Sequence, residues 1–202
     1  MKNLILIGAG GHCVSCIDVI EKEKKYKIIG VVDKKKSRNI KYKILNKDEN
    51  FKKIILKCKN ILITLGQIKQ TDKRVDLFNK AKKIGFKFPK VISPLAYVSK
   101  NAVVGEGSII MHGAIVNAGA KIGKNCIINT NALIEHDANI GDHCHVSTRA
   151  TLNGGVELGK KSFVGSHSVV RQNIKIGEGS FINANLFINK NLEKNSSVYE
   201  KV

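Results

Sequence analysis

From about residue 98 onward, an aliphatic residue recurs at every sixth position of the chain. The positions that share this spacing are all Val, Ile or Leu, and they are Val98, Val104, Ile110, Val116, Ile122, Ile128, Ile134, Ile140, Val146, Leu152, Leu158, Val164, Val170, Ile176, Ile182 and Ile188. An amphipathic helix would repeat its apolar positions every three or four residues, and a single strand would alternate every two. The pattern instead predicts short parallel strands that coil, so that equivalent side chains stack inward from turn to turn.

A second register follows each aliphatic position by four residues, and small side chains occupy most of it. Its members are Ala102, Ser108, Ala114, Ala120, Cys126, Ala132, Ala138, Cys144, Ala150, Val156, Ser162, Ser168, Ile174, Ser180, Leu186 and Leu192. One large and one small side chain turned inward on each side would fill the narrow centre of a coiled sheet. We therefore predict an all-β domain of stacked coils, with Cys144 in its interior.

The first 90 residues follow different patterns. Three short apolar runs, LILIG (4–8), IIGVVD (28–33) and ILITLG (61–66), are typical of buried strands. Helical spacing follows the first run over residues 14–23 and follows the third over residues 72–86, where a glycine marks the helix end. Strands that alternate with helices predict a small Rossmann-like βαβ domain with a parallel sheet.

The change of pattern divides the chain into two domains. We predict an α/β domain over residues 1–90 and an all-β parallel β-helix over residues 91–202. Pro89 and Pro94 bracket the short passage between the two patterns. We interpret that passage as a linker, because proline interrupts regular hydrogen bonding.

Composition narrows the possible functions. The 202 residues carry a formal net charge of +19, and 24 basic against 8 acidic side chains fall within residues 1–90. The lysines are dispersed without the interleaved aromatic residues of nucleic-acid binders, so we predict a mostly solvated surface and no nucleic-acid partner. No apolar run reaches the roughly 18 residues that a membrane helix requires, and the five cysteines show no disulfide spacing. We therefore expect a cytoplasmic protein without membrane insertion.

A glycine cluster follows the first predicted strand, at Gly8, Gly10 and Gly11. Glycines at this point of a βα unit let the backbone approach a ligand, and the helix N-terminus offers free N–H groups to a phosphate. Cys13 occupies the third glycine position of the dinucleotide fingerprint, and 90 residues cannot supply both halves of a dinucleotide fold. These residues alone are compatible with a structural turn and with a mononucleotide site.

Both halves of the chain resemble one family of enzymes. The motif [LIV]-G-x-x-x-x, visible as IGKNCI and IGDHCH, resembles that of the hexapeptide-repeat acyltransferases, whose fold is a left-handed parallel β-helix. GAGGH, with an acid after the second strand, resembles the N-terminal domain of bacterial nucleotide-sugar acetyltransferases of the UDP-N-acetylbacillosamine (PglD-like) and sialic acid (NeuD-like) types. The resemblance implies that a sugar nucleotide is bound by Gly10, Gly11, His12, Asp33 and Gly66.

Residues 134–147 contain four possible zinc ligands, His136, His143, Cys144 and His145. Because Cys144 belongs to the inward register while its neighbours point outward, we predict no metal site. From spacing alone, His136 is explained equally well by an exposed corner of a coil and by a catalytic base. We expect His143 to lie at the surface without a catalytic role.

The family resemblance implies specific roles for this segment and for two later residues. I-E-H-D corresponds to the segment that carries the catalytic histidine in these enzymes, so His136 is the expected general base and Asp137 the expected orienting acid. His145 is expected near the acetyl group, as an N–H donor to the carbonyl oxygen or oxyanion. Ser166 and Ala184 are expected beside the pantetheine of acetyl-CoA. The family is homotrimeric, which implies a CoA groove between neighbouring subunits.

The expected reaction is acetyl transfer from acetyl-CoA to the amino group of a UDP-linked 4-amino-4,6-dideoxy sugar, without a metal. Two departures from the family pattern concern its ligands. Lys34 stands where the bacillosamine enzymes often carry a second acid, and the chain ends in NSSVYEKV rather than in Gly-Val-Pro-Ala-Lys. O-acetylation of a sialic-type sugar is one alternative, and a noncatalytic β-helix scaffold or regulator is another.

Overall fold

The computed structural model describes residues 1–34, 40–46, 50–69 and 71–199, which form two domains. In chain order, the elements of the N-terminal domain are β1 (Lys2–Ile7), α1 (Gly11–Glu23), β2 (Tyr26–Val32), β3 (Ile44–Asn46), α2 (Phe51–Ile55), β4 (Ile61–Ile63) and α3 (Asp72–Ile84). Its strands are parallel and lie in the order β3, β2, β1, β4. This arrangement confirms the predicted α/β domain.

The three predicted apolar runs form β1, β2 and β4. The strands β1 and β2 lie in the centre of the sheet, and β4 lies at its edge beside β1. The side chains of Leu4–Ile7 and Ile61–Ile63 are at most 1 % exposed, because helices cover the sheet. The third helix ends at Gly85, whose φ of 97° is a left-handed conformation that glycine adopts without strain. The short elements β3 and α2 carry too few periodic residues for the sequence to have predicted them.

The C-terminal domain is a parallel β-helix, as the period of six predicts. Its strands are β5 (Val91–Ile92), β6 (Tyr97–Val98), β7 (Val103–Val104), β8 (Ile109–Ile110), β9 (Ile115–Val116), β10 (Lys121–Ile122), β11 (Ile127–Ile128), β12 (Leu133–Ile134), β13 (Asn139–Ile140), β14 (His145–Val146), β15 (Thr151–Leu152), β16 (Glu157–Leu158), β17 (Phe163–Val164), β18 (Val169–Val170), β19 (Lys175–Ile176), β20 (Phe181–Ile182), β21 (Phe187–Ile188) and β22 (Ser197–Val198). They form a seven-stranded, a six-stranded and a five-stranded sheet, which are the three sides of the coil.

The two predicted registers fill the inside of this coil. The aliphatic positions from Val104 to Ile188 are at most 8 % exposed, and they form one apolar cluster with the small residues. Cys144 is 1 % exposed and lies in this cluster, as predicted. Leu186 and Leu192, near the C-terminal end of the coil, are only partly buried.

At the corners of the coil, the chain turns through residues with positive φ. Asn125, Asp137 and His143 have φ values of 52°, 59° and 62°. Asn, Asp and His enter this left-handed region more readily than most residues. The corner turns therefore explain why polar residues, including two of the histidine segment, recur between the aliphatic positions.

The passage between Pro89 and Pro94 is a strand rather than the linker that we expected. Val91 and Ile92 form β5, which pairs in parallel with Ile109 and Ile110 of β8. The strand lies at the end of the seven-stranded sheet, where a single hydrogen-bonded neighbour leaves room for flanking prolines.

The two domains share a buried apolar contact. Ile109, Met111 and Ile127, on the side of the seven-stranded sheet, lie in one cluster with Cys13 and Cys16 of α1. The N-terminal domain therefore packs against this one side of the β-helix. None of the helices in the described parts of the chain is both long enough and apolar enough to cross a bilayer.

Candidate active site

The glycine cluster lies at the carboxyl end of β1, where α1 begins. A Cβ atom added at Gly10 or Gly11 would have no atom of the described residues within 4 Å, so with respect to those residues both glycines face open space. The Asp33 carboxylate, directly after β2, accepts a hydrogen bond from the Ala9 N–H at 2.6 Å. The N-terminal end of α1 thus faces this open space, and its free N–H groups suit an anionic phosphate.

His12 and Gly66 meet beside this loop. A Cβ atom on Gly66 would lie 3.5 Å from the His12 Cβ, and the His12 Nε2 lies 3.4 Å from the Cys16 Sγ. Burial, followed by the positive charge of Arg74, lowers the pKa of His12 to about 3, so its imidazole is neutral. The residues that the family resemblance assigns to a sugar nucleotide thus lie together at the carboxyl ends of the parallel strands. They are Gly10, Gly11, His12, Asp33 and Gly66.

His145 extends from β14 into the boundary between the two domains, where it is 7 % exposed. Its Nδ1 forms a short hydrogen bond with the main-chain oxygen of Gln67, and its Nε2 lies 3.2 Å from the Asn129 Nδ2. The Phe163 ring meets the imidazole at a steep angle, with 5.2 Å between centroids. Burial lowers the pKa of His145 to about 4, so this ring is also neutral.

The hydrogen bonds of His145 determine its tautomer. A carbonyl oxygen only accepts, so the proton lies on Nδ1, and the amide nitrogen of Asn129 only donates, so Nε2 carries the lone pair. The Thr130 N–H donates to the Asn129 Oδ1 at 2.8 Å, which orients this amide. Both ring nitrogens are therefore engaged within the chain, and the role of His145 as an N–H donor to an oxyanion stays a prediction.

His136 lies at the corner between the six-stranded and the five-stranded sheets. Its side chain is 66 % exposed, and its Nδ1 lies 2.9 Å from the Asp137 Oδ2. The hydrogen bond to Asp137 raises the pKa of His136 above its ordinary value, and the charges of Asp137 and Glu135 add to this effect. Because Nδ1 donates to the carboxylate, Nε2 is the nitrogen that can accept a proton from a ligand.

A glycine on the next coil makes room for the His136 ring. A Cβ atom on Gly154 would lie 2.7 Å from both Cε1 and Nε2 of His136, closer than real contacts allow. The ring therefore lies directly against Gly154. It faces a groove of about 480 Å³ that is lined by Glu135, His136, Asp137, Asn153, Gly154, Gly155, Gln172 and Asn173.

Ser166 and Ala184 lie at a different corner, between the seven-stranded and the six-stranded sheets. The Ser166 Oγ lies 2.9 Å from the Ser147 Oγ, and the Ala184 side chain is exposed. A Cβ atom on Gly165 would come within 2.4 Å of the Ala184 main-chain nitrogen, so the coils approach closely here. This corner presents small side chains and backbone groups, which is what a path for an extended pantetheine requires.

Within one chain, His136 is separated from the other candidate residues. It follows β12 of the six-stranded sheet, whereas His145 lies on β14 of the seven-stranded sheet, and β13 of the third sheet intervenes. The N-terminal domain, with its glycine cluster, covers the seven-stranded side. A single chain therefore does not place the His136 ring beside the glycine cluster.

His143 is not the surface residue that we expected. It is half-buried, because α3 covers its corner, and its ring packs at a steep angle against Phe78 with 5.4 Å between centroids. Its Nδ1 lies 3.0 Å from the Asn125 Nδ2, and the Gln67 Nε2 donates to its carbonyl oxygen at 2.7 Å. Burial lowers the pKa of His143. The residue joins the two domains.

Three residues at the domain boundary were missed by the sequence analysis: Gln67, Arg74 and Asn129. Arg74 carried a signal, because it shares the helical spacing of the buried Phe78 and Ala81 on α3. Gln67 and Asn129 had none, since they act through a main-chain carbonyl and a single amide. In the described parts of the chain, no three His, Cys, Asp or Glu side chains cluster as metal ligands.

Comparison with known protein families matches both domains. The PglD N-terminal domain matches residues 3–78, and the bacterial transferase hexapeptide (six repeats) matches residues 101–136 and 119–154. No curated protein sequence matches this chain.

Solved structures of similar fold cover nearly the whole chain. The acetyltransferase domain of PglB from Neisseria gonorrhoeae FA1090, in complex with acetyl coenzyme A, is 26% identical with a TM-score of 0.90, over 98% of this chain and 95% of that chain. A mutant of perosamine N-acetyltransferase from Caulobacter crescentus, in complex with CoA and GDP-perosamine, is 25% identical with a TM-score of 0.91, over 98% and 93%. WeeI from Acinetobacter baumannii AYE shares the fold at 18% identity and a TM-score of 0.84, over 99% and 97%. The chain thus combines a PglD-type N-terminal domain with bacterial transferase hexapeptide repeats, and over nearly its whole length it is similar in structure to sugar acetyltransferases.

Proposed function

We propose that this protein transfers the acetyl group of acetyl-CoA to the amino group of a nucleotide-linked sugar, with His136 as general base. The observation that carries the proposal is the exposed imidazole of His136, held by Asp137 at 2.9 Å and facing a groove. Its raised pKa makes the ring a better proton acceptor. Acetyl-CoA and a GDP-linked amino sugar are the ligands of the two similar enzymes described above.

The proposed reaction is direct transfer without a covalent enzyme intermediate. The Nε2 of His136 takes a proton from the sugar amine as the amine nitrogen attacks the thioester carbon. The C–S bond of the tetrahedral intermediate then breaks, and the CoA thiolate takes up the proton that His136 accepted, which returns the imidazole to its neutral form. A thioester is already activated, so no protein nucleophile is needed, and the protein supplies alignment and proton transfer.

We place the sugar nucleotide at the glycine cluster. The open space at Gly10 and Gly11 and the N-terminal end of α1 suit the diphosphate, and His12, Asp33 and Gly66 border it. From the family resemblance we propose a UDP-linked 4-amino-4,6-dideoxy sugar as the acceptor. Guanine is the competing base, because one of the similar enzymes was solved with GDP-perosamine.

We further propose a homotrimer with its active sites between subunits. Within one chain, His136 lies on a corner remote from the glycine cluster, so a neighbouring subunit must bring the two together. A cyclic assembly joins different surfaces of successive subunits, which meets this need. Acetyl-CoA would follow the corner at Ser166 and Ala184, with the thioester near His145. The five cysteines are unpaired and buried, as in proteins of the reducing cytoplasm, where we place this enzyme.

The test of this proposal is product formation from defined acceptors. The protein is incubated with acetyl-CoA and, in parallel, with UDP-linked 4-amino-4,6-dideoxy sugars, GDP-perosamine and a sialic-type sugar. We expect an alkali-stable product that is heavier by one acetyl group, formed fastest from the UDP-linked sugar. An alkali-labile product from the sialic-type sugar would replace this proposal with O-acetylation. The absence of any acetylated product would favour a noncatalytic scaffold.

Asp137→Asn should move the pH profile of the reaction. The Asp137 carboxylate raises the pKa of His136, and a base works only when it is unprotonated. Removing the negative charge lowers that pKa, so the acid limb of kcat/KM should move to lower pH. The plateau should fall about tenfold, because a less basic imidazole accepts the proton less readily. The positive φ of position 137 suits Asn, so the backbone is kept. An unchanged acid limb would contradict the role of His136 as the general base of the reaction.

A further inference from the structure

Arg74 is a buried cation without a carboxylate partner in the described parts of the chain. It lies on α3 and is 1 % exposed. Its Nη1 donates to the main-chain oxygens of Ile63 at 2.6 Å and Leu65 at 2.7 Å, and its Nε donates to that of Asn125 at 3.4 Å. Burial lowers the pKa of Arg74 to about 10, so the side chain keeps its charge at neutral pH. Among the described residues its hydrogen bonds go to carbonyls alone, so this buried charge holds three main-chain carbonyls in place.

The carbonyls that Arg74 holds belong to both domains. Ile63 ends β4, and Leu65 is in the loop that follows it, whereas Asn125 is at a corner of the β-helix. The guanidinium therefore fixes the loop at residues 65–67 against the second domain. A second contact supports the same loop, because the Gln67 Nε2 donates to the His143 carbonyl at 2.7 Å.

This short loop contacts two parts of the proposed active site. Gly66 lies beside His12 at the sugar nucleotide site, and the next residue, Gln67, accepts the hydrogen bond from the His145 Nδ1. The Gln67 carbonyl is what keeps the proton on Nδ1 and the lone pair on Nε2. Two consecutive residues thus make the contact at the proposed sugar nucleotide site and the contact that sets the His145 tautomer.

We propose that Arg74 is a positioning residue that holds the 65–67 loop, and through it couples the sugar nucleotide site to the tautomer of His145. The inference rests on the proposed function for its catalytic consequence. With the loop fixed, the Nδ1 of His145 keeps its proton and the Nε2 accepts from the Asn129 amide, so the ring is held in one orientation at the domain boundary. With the loop released, the imidazole can turn or change tautomer, and this orientation is lost.

The test compares Arg74→Met and Arg74→Lys by NMR of ¹⁵N-labelled histidine, with the His145 signals assigned from His145→Gln. In the unchanged protein, Nδ1 should resemble a protonated nitrogen and Nε2 an unprotonated one. Arg74→Met should bring the two shifts together, as both tautomers become populated. Arg74→Lys retains the positive charge but has fewer hydrogen-bond donors, so it should give an intermediate spectrum. Unchanged His145 shifts in both variants would overturn the proposal.

Two controls separate positioning from general damage. Lys73→Met removes the same charge from an exposed neighbour on α3 and should change neither spectrum nor rate. Phe78→Leu weakens packing at the same boundary and should lower the melting temperature while the His145 tautomer stays. If Phe78→Leu and Arg74→Met changed the His145 ¹⁵N shifts equally, Arg74 would contribute only packing at the domain boundary.

Kinetics provide the second readout. Arg74→Met should lower kcat about 10²-fold, the usual effect of a misplaced reacting group, and should raise KM for the sugar nucleotide more than KM for acetyl-CoA. Equal loss in both KM values, or no loss at all, would contradict the coupling. If no acceptor is acetylated by the unchanged protein, the proposed function fails, whereas the NMR result still decides whether Arg74 sets the tautomer.

Discussion

His136→Ala should lower kcat about 10²–10⁴-fold, the share of rate enhancement that a general base usually supplies. The imidazole is the group at the groove that can take a proton near neutral pH, since its Nδ1 is held by Asp137 and its Nε2 is left for the ligand. The measurement is release of the CoA thiol at saturating acetyl-CoA and acceptor. KM values should change little, because the lost interaction is made mainly in the transition state.

The variant should leave the fold intact. The His136 side chain is 66 % exposed, and surface truncations usually change the free energy of unfolding by no more than about 0.5 kcal/mol. Lys121→Ala, at an exposed position on the neighbouring five-stranded sheet, is the control and should keep the full rate. A rate within about threefold of the unchanged protein would remove His136 from the chemical step, since general bases contribute at least 10²-fold.

The β-helix was predictable because its physics acts at every sixth residue. Each inward position must be apolar and each corner must turn, so the same hydrophobic pattern recurs sixteen times between Val98 and Ile188. The error at β5 came from reading two prolines as a break. Val91 and Ser93 still donate to Ser108 and Ile110, and the prolines flank these donors without replacing them. The pairing of β5 with β8 therefore determines the structure of this passage, although the two prolines locally disfavour a strand.

The candidate site was only partly predictable. His136 carries its chemistry in its side chain, and the glycine cluster is recognised by its lack of side chains, so a family resemblance can locate both. The hydrogen bonds of His145 depend on the Gln67 carbonyl, and every residue has a carbonyl, so no sequence pattern marks that contact. The same reason explains why Gln67 was not predicted, whereas Arg74 carries a signal in its helical spacing on α3.

The position of His136 on its own corner leads to the second large effect. If the site combines His136 of one subunit with the glycine cluster of the next, two inactive variants should restore activity together. Gly10→Glu is a suitable partner for His136→Ala. Its φ of −79° is allowed for any L-residue and its side chain meets open space, so the variant should fold and should exclude a diphosphate by charge and bulk.

Co-expressed in equal amounts, Gly10→Glu and His136→Ala should regain about one quarter of the unchanged activity, because a shared site needs an intact half from each of two successive subunits in a ring. Each variant alone should stay about 10²-fold or more below the unchanged rate. The measurement is the specific activity of all oligomers together, without separation of the mixed ones, and a different affinity tag on each chain checks that the two chains are present in equal amounts.

A second mixture makes the result independent of how active each variant is. The double variant, Gly10→Glu with His136→Ala, is co-expressed with the unchanged chain. A site shared between subunits again leaves about one quarter of the activity, whereas a site within one chain leaves about one half. Recovery in the first mixture together with one quarter in the second would establish that neighbouring subunits complete each other's active sites. No recovery in the first and one half in the second would place the whole reaction within a single chain, and His136 could then not act on a sugar held at the glycine cluster.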